Sequence, residues 1–204
     1  MVFIDRVIHD WLVLFAMVNA VGNLPIFADL TSTMDPKERA RTFRTAVVTA
    51  ASVVLSFAFF GAWMLHTAFQ VETEAFKIAG GILVFVVAAR GMVVGPPRFP
   101  SAPTTHSENV GVFPMGFPFL AGPGTIVTTI LLMQVEGRWL TALSAVLVYG
   151  TILPMLFLAP VLQRAVGRVG ILVVARIFYI FVSAKAVTFV LGGLQTYFER
   201  FLAA

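Results

Sequence analysis

"NAVGNLPIF", Asn19 to Phe27, puts two asparagines, a glycine and a proline inside an apolar stretch that runs from about Val7 to Leu30. As a membrane helix it is spoiled where it ought to be continuous. In hydrocarbon an unpaired backbone N–H or C=O costs several kcal/mol, so irregular backbone at that depth survives only where protein or a watery cavity covers it. The break is thus either a packing kink or a site. A second interruption bears on the choice: "PMGFPFLAGPG", Pro114 to Gly124, brings Pro118, Gly122, Pro123 and Gly124 to the middle of another apolar stretch.

Composition identifies the solvent. Of 204 residues, 59% are hydrophobic and 12% charged, with a mean hydropathy of +0.93, beyond the usual apolar share of a soluble domain. The chain belongs in a bilayer. Cysteine is absent, which excludes disulfides and thiolate metal sites. The net charge of +4 resembles a nucleic-acid signal, but the basic residues sit between apolar spans, where topology explains them. Lipid is the expected partner, and nucleic acid is not.

A hydrocarbon core of ~30 Å needs ~20 apolar helical residues. Six stretches qualify: about Val7 to Leu30, Thr42 to Leu65, Ala75 to Val94, Val110 to Gln134, Trp139 to Leu162 and Gly170 to Leu194. The first reads as a span rather than a cleavable signal peptide, being long and having Asp5 and Asp10 beside a lone Arg6. Lys37, Arg39, Arg41, Arg44, Arg90, Arg98, Arg164, Arg168 and Arg176 lie on one side of the spans, against Arg6, Lys77, Arg138 and Arg200 on the other. The positive-inside rule puts the richer side in the cytoplasm and both termini outside. "GPPRFPSAP" is the linker-like segment.

Displacing the chain by 99 residues pairs Thr42 with Thr141, Thr45 with Ser144, Ala46 with Ala145, Val47 with Val146, Lys77 with Arg176 and Ile78 with Ile177. The same shift lays Gly22-Asn23-Leu24-Pro25 on Ala121-Gly122-Pro123-Gly124. An odd number of spans per half means that the second half enters from the opposite side, as in inverted-repeat transporters with discontinuous helices and a midplane site. The expected fold is all-α and polytopic: one transmembrane domain over 1–204, with six helices in two inverted three-helix repeats. Repeat one covers about 1–94, a linker 95–109, repeat two about 110–194, and a short tail 195–204. Spans 1 and 4 are broken near the midplane. Free N–H groups opening each downstream half-helix suit a carboxylate, and C=O groups closing the upstream half suit an ammonium or cation. That combination fits a zwitterion, with Asn19 and Asn23 adding amide donors and acceptors.

These residues are similar to a known family. "NAVGNLPIF", "AFKIAGGILVF" (Ala75 to Phe85) and "PFLAGPGTI" (Pro118 to Ile126) resemble the MarC family of bacterial inner-membrane proteins, also grouped as the neutral amino acid transporter family. The resemblance covers nearly the whole chain. It implies a six-helix inner-membrane protein, with transport of small neutral amino acids such as alanine and glycine attributed to some members. The matching positions are Asn19, Gly22, Asn23, Pro25, Gly80, Gly81, Gly122, Pro123 and Gly124. The chain departs at Ala20, where the family usually has Pro, at Tyr179, where Gly is common, and at Lys185, usually apolar.

Lys185 falls ~14 Å from the end of span 6, near the midplane. A charge there should face the bundle interior or water and have a partner; it either serves the cavity, standing in for a coupling cation or binding a substrate carboxylate, or forms a structural ion pair. Every carboxylate, including Asp10 and Asp29, reads as lying at or near a span end, so a midplane carboxylate relay has no candidate. The coupling ion, sodium or proton, stays open, and no other cofactor is expected. Thr42, Thr45, Thr49, Ser52 and Ser56 form one stripe of span 2, suited to close helix packing. His9, His66 and His106 have no metal-ligand spacing, and no Ser/His/Asp set or phosphate loop occurs, so enzyme chemistry has no visible seat. The reading is a carrier moving a small neutral amino acid by alternating access, as a monomer or homo-oligomer. Its site residues are Asn19, Gly22, Asn23, Pro25, Gly122, Pro123, Gly124, Thr125 and Lys185. The alternatives are a non-transporting scaffold and a small-solute pore.

Overall fold

The computed structural model describes residues 2–94 and 110–202, so the linker expected at 95–109 lies outside the described residues. Helix α1 (Val2–Val18) and α2 (Ala20–Leu30) form a pair bent by 42°. Helix α3 (Pro36–Trp63) opens on Asp35, whose carboxylate accepts from the N–H groups of Lys37 (2.8 Å) and Glu38 (2.9 Å), with Pro36 at the position that lacks an N–H partner anyway. It ends in a wide π turn, Met64–Ala68. Helix α4 is Thr73–Val93. An irregular segment, Gly111–Leu120, meets α5 (Pro123–Glu136) at 56°. Helical backbone then runs from Arg138 to Leu202, interrupted at Gly167 (φ 73°), giving spans α6 (Arg138–Ala159) and α7 (Val169–Leu202).

Among the described residues, four helices are long and apolar enough to cross a membrane, and up to six spans result if each bent pair counts as one. Over an 18-residue apolar stretch of each of these four helices, only 28–44% is buried by the protein itself. The rest of that apolar surface needs lipid. Trp63 and Trp139 are exposed at helix ends, as interfacial anchors are.

Two cores hold the bundle. The larger joins α1, α2, α3, α6 and the irregular segment around Leu14, Leu24, Phe27, Met115, Leu120, Ile152 and Leu156. The smaller, with Met17, Val84, Ala88, Tyr179, Val182 and Ala186, joins α1, α4 and α7. The hydroxyl stripe of α3 packs against the irregular segment: Gly111 abuts Thr45 and Gly116 abuts Thr49. Helices α4 and α7 pack closely at Gly81, where an added Cβ would meet the Ala186 carbonyl oxygen at 2.8 Å and the Val190 nitrogen at 3.1 Å. Both are backbone, so Gly81→Ala forces α4 and α7 apart. Overpacking of this kind costs about 1–3 kcal/mol, and thermal unfolding of the purified variant should show a Tm lower by several degrees.

Helix α7 runs eight residues beyond the expected end at Leu194, and residues 195–202 are helix rather than tail. Two contacts explain the extension. Gln195 donates to Glu199 one turn on (2.8 Å), and Arg200 pairs with the buried Glu74 of α4 at 3.2 Å.

Candidate functional site

The first break falls on Asn19, three residues before the Gly22-Asn23 junction that the sequence suggested. Asn19 takes left-handed backbone (φ 48°, ψ 42°), which asparagine tolerates better than other side chains do. Pro25 does not interrupt α2; it sits buried within it. Lacking an N–H, it leaves the Val21 carbonyl without its usual donor. Asn19 as a residue is 6% exposed, and neither its Oδ1 nor its Nδ2 has a hydrogen-bond partner. It folds over Gly22, where a Cβ would lie 2.7 Å from both amide atoms. The Tyr179 hydroxyl of α7 lies beside it without closing a bond of good geometry.

The second break is held from three directions. The Ala121 N–H reaches back to the Gly116 carbonyl (2.9 Å), Gly122 is extended, and Pro123 begins α5. Tyr149 of α6, itself buried, donates its hydroxyl to the Leu120 carbonyl at 2.8 Å. Tyr149→Phe would strand that carbonyl at a cost of about 1–3 kcal/mol, and a Tm several degrees lower is expected. Helix α5 opens with no side-chain cap, so the N–H groups of Gly124 and Thr125 have no partner within the helix. The Thr125 and Thr128 hydroxyls are also buried and unpaired.

The two breaks meet. Asn23 Nδ2 donates at 3.4 Å both to Val18 O, below its own break, and to Phe119 O, at the other. Phe27 and Phe119 cross edge to face at 5.9 Å. Gly124 lies against Val84 of α4 and Met17 of α1. Thr125, Thr128, Leu132 and Glu136 recur at spacings of three and four and so share one stripe of α5. That stripe runs along α1, because Glu136 at its far end pairs with Arg6 at 3.4 Å while Gly124 at its near end adjoins Met17. Asn23 against Phe119 and Met17 against Gly124 are thus the contacts that set the two breaks side by side.

Two of the expected residues stand apart. Pro123 is exposed, and Lys185 sits half-buried on α7 with its ammonium 5.6 Å from the centre of the Phe189 ring. Beyond Phe27, between α2, α3 and α6, opens a cleft of about 160 Å³ lined by Phe27, Thr31, Arg39, Phe43, Leu156 and Ala159. Phe27 therefore touches both the breaks and this cleft.

The sequence reading missed Tyr149, Thr128 and Asp10. Asp10, read as lying at or near a span end, is buried: its side chain is 0% exposed, it lies on the buried stripe of α1, and Lys185 is within electrostatic range of it. The signal was present, since Asp10, Leu14 and Val18 follow one another at helical spacing on the face that also carries Met17.

Comparison with known proteins agrees with the architecture. Residues 4–198 match the family described as MarC family integral membrane protein. The chain is 34% identical to a UPF0056 membrane protein of Archaeoglobus fulgidus, covering 89% of this chain and 88% of the relative. It is 32% identical to the UPF0056 membrane protein YhcE of Escherichia coli, covering 93% and 92%. With a UPF0056 membrane protein of Methanocaldococcus jannaschii it shares 31% identity over 89% of this chain and 92% of the relative. No solved structure matches it. The bent first span, the glycine-rich second break and the near full-length match lead to one conclusion: this chain belongs to the MarC family of integral membrane proteins.

Proposed function

We propose that this protein is a carrier that moves a small neutral amino acid, or a polar solute of similar size, by alternating access. Two observations carry the reading: the two interrupted spans meet through the Asn23–Phe119 hydrogen bond, and each contributes buried polar atoms that the protein itself does not satisfy, both amide atoms of Asn19 beside the first break and the Thr125 hydroxyl beside the second. Buried polar atoms are nearly always paired, and an orphan costs about 1–3 kcal/mol. Several orphans in one region make sense where a guest completes them. The Asn19 Oδ1 accepts from an ammonium; the Asn19 Nδ2, the Thr125 hydroxyl and the free N–H groups opening α5 donate to a carboxylate. A zwitterion with a small side chain needs both. The two bent pairs also stand at corresponding places in the two halves of the chain, which supports the inverted repeat and a rocking of one half against the other. The excess of basic residues on one side supports termini on the outer face of the inner membrane.

Counterflow tests this directly. Liposomes containing the purified protein and loaded with unlabelled alanine or glycine should take up the labelled amino acid saturably and faster than empty liposomes. If neither these nor a wider panel of small polar solutes moves, the carrier reading falls and the breaks serve packing alone.

A further inference from the structure

At the N-terminal end of the bundle lies a set of charged groups that the solute site does not use. Asp10 of α1 is fully buried. Its Oδ1 is 3.2 Å from Nδ1 of His9, whose own side chain is 60% exposed. Its Oδ2 is buried with no partner. The charged and titratable groups facing it are His9 and Arg6 on α1, Glu136 on α5 and Lys185 on α7; Glu136 and Lys185 act on it electrostatically without reaching bonding distance. Arg6 is engaged with Glu136.

An ionised carboxylate is acceptor-only. Out of water it must be paired, coordinated to a cation, or neutralised by a proton. Lys185 does not pair with it, since its ammonium rests over the Phe189 ring, and His9 reaches only one of the two oxygens. Hard cations require about six oxygen ligands, and among the described residues no group of three His, Asp or Glu side chains gathers anywhere. A proton fits: it removes the charge from the carboxylate, and the O–H it makes on Oδ1 faces the imidazole Nδ1 3.2 Å away, leaving the dry Oδ2 as a neutral carbonyl oxygen.

We propose that Asp10 is a proton-binding site, loaded from the aqueous phase at the N-terminal end through His9, with Lys185 as the countercharge when the proton leaves. In the loading step the His9 imidazolium gives its Nδ1 proton to Asp10 Oδ1, leaving a neutral imidazole and a carboxylic acid. In the reverse step the carboxylate regains its charge and attracts the Lys185 ammonium away from the ring. The consequence is mechanical. Helix α1 carries the Asn19 break and α7 carries Tyr179 beside it, so the charge on Asp10 sets the spacing of two helices that border the solute region. This last link rests on the carrier reading; the proton site does not.

Carbodiimide labelling tests the site on the wild-type protein. N,N′-dicyclohexylcarbodiimide attacks protonated carboxyls in apolar surroundings, and peptide mass spectrometry locates the adduct. With no solute added, Asp10 should be labelled near pH 6 and at least about fivefold less near pH 9, with exposed Asp5 and Asp35 little modified at either. Lys185→Met should carry the labelling to higher pH, because the group that stabilises the carboxylate is gone. An Asp10 that takes no label in folded protein, or whose label ignores pH, overturns the proposal. Unchanged pH dependence in the lysine variant overturns the role of Lys185. Alanine counterflow is a separate readout: a chain that moves no solute still answers the labelling question, and an unlabelled Asp10 leaves the carrier reading intact. In a chain that does carry alanine, Asp10→Asn should keep counterflow and lose its response to pH.

Discussion

Asn19→Gly should leave the fold standing and lower alanine counterflow by at least about tenfold. Glycine enters left-handed backbone at no steric cost, so the bend between α1 and α2 survives. The side chain removed makes no hydrogen bond to the protein, so the stability lost is limited to its packing over Gly22. A guest loses more. A hydrogen bond between the Asn19 amide and a charged ammonium or carboxylate contributes about 1.5–3 kcal/mol, and 1.4 kcal/mol is about a factor of ten in binding. Asn19→Val supplies the contrast. A β-branched residue in the left-handed region is strained by more than about 1–2 kcal/mol, so that variant should unfold at lower temperature. If the glycine variant transports like the wild type, Asn19 is a backbone device and nothing else.

Thr125→Val should raise stability while it lowers transport. The Thr125 hydroxyl is buried, unpaired and 1% exposed as a residue, and valine replaces it with a methyl group of nearly the same shape. Relief of an unsatisfied polar group is worth up to about 1–3 kcal/mol, or a Tm higher by about 2–4 °C for each kcal/mol in a chain of this length. The same change removes a donor from the solute region, and counterflow should fall by about tenfold. Opposite signs in one variant separate a binding role from a packing role. In a scaffold the more stable variant would simply work as well or better.

Much of this was readable in the sequence, for physical reasons. Apolar runs of membrane length can hardly be anything but spans, and the cluster Pro118, Gly122, Pro123 and Gly124 can hardly be continuous helix. The exact place of the first break was less legible. The motif suggested Gly22-Asn23, yet the chain bends at Asn19, whose side chain tolerates left-handed backbone, while Pro25 fits within a helix that neighbours cover and Asn23 reaches Val18 and Phe119. The end of α7 was hidden because what extends it, the Arg200–Glu74 pair, joins residues 126 apart. Lys185 looked solitary for the same reason. Asp10, which lies within electrostatic range of it, is far away in sequence and was read as lying at or near a span end, although its helical phase with Leu14 and Val18 marked it as buried.

In the carrier, two broken spans create one solute site from atoms that the fold leaves unsatisfied. Equilibrium binding of radiolabelled alanine and glycine to the purified protein measures this without any assumption about transport. Saturable binding by the wild type, weakened at least about tenfold in both Asn19→Gly and Thr125→Val, is the predicted result; binding that is absent, or that survives both substitutions unchanged, would contradict it.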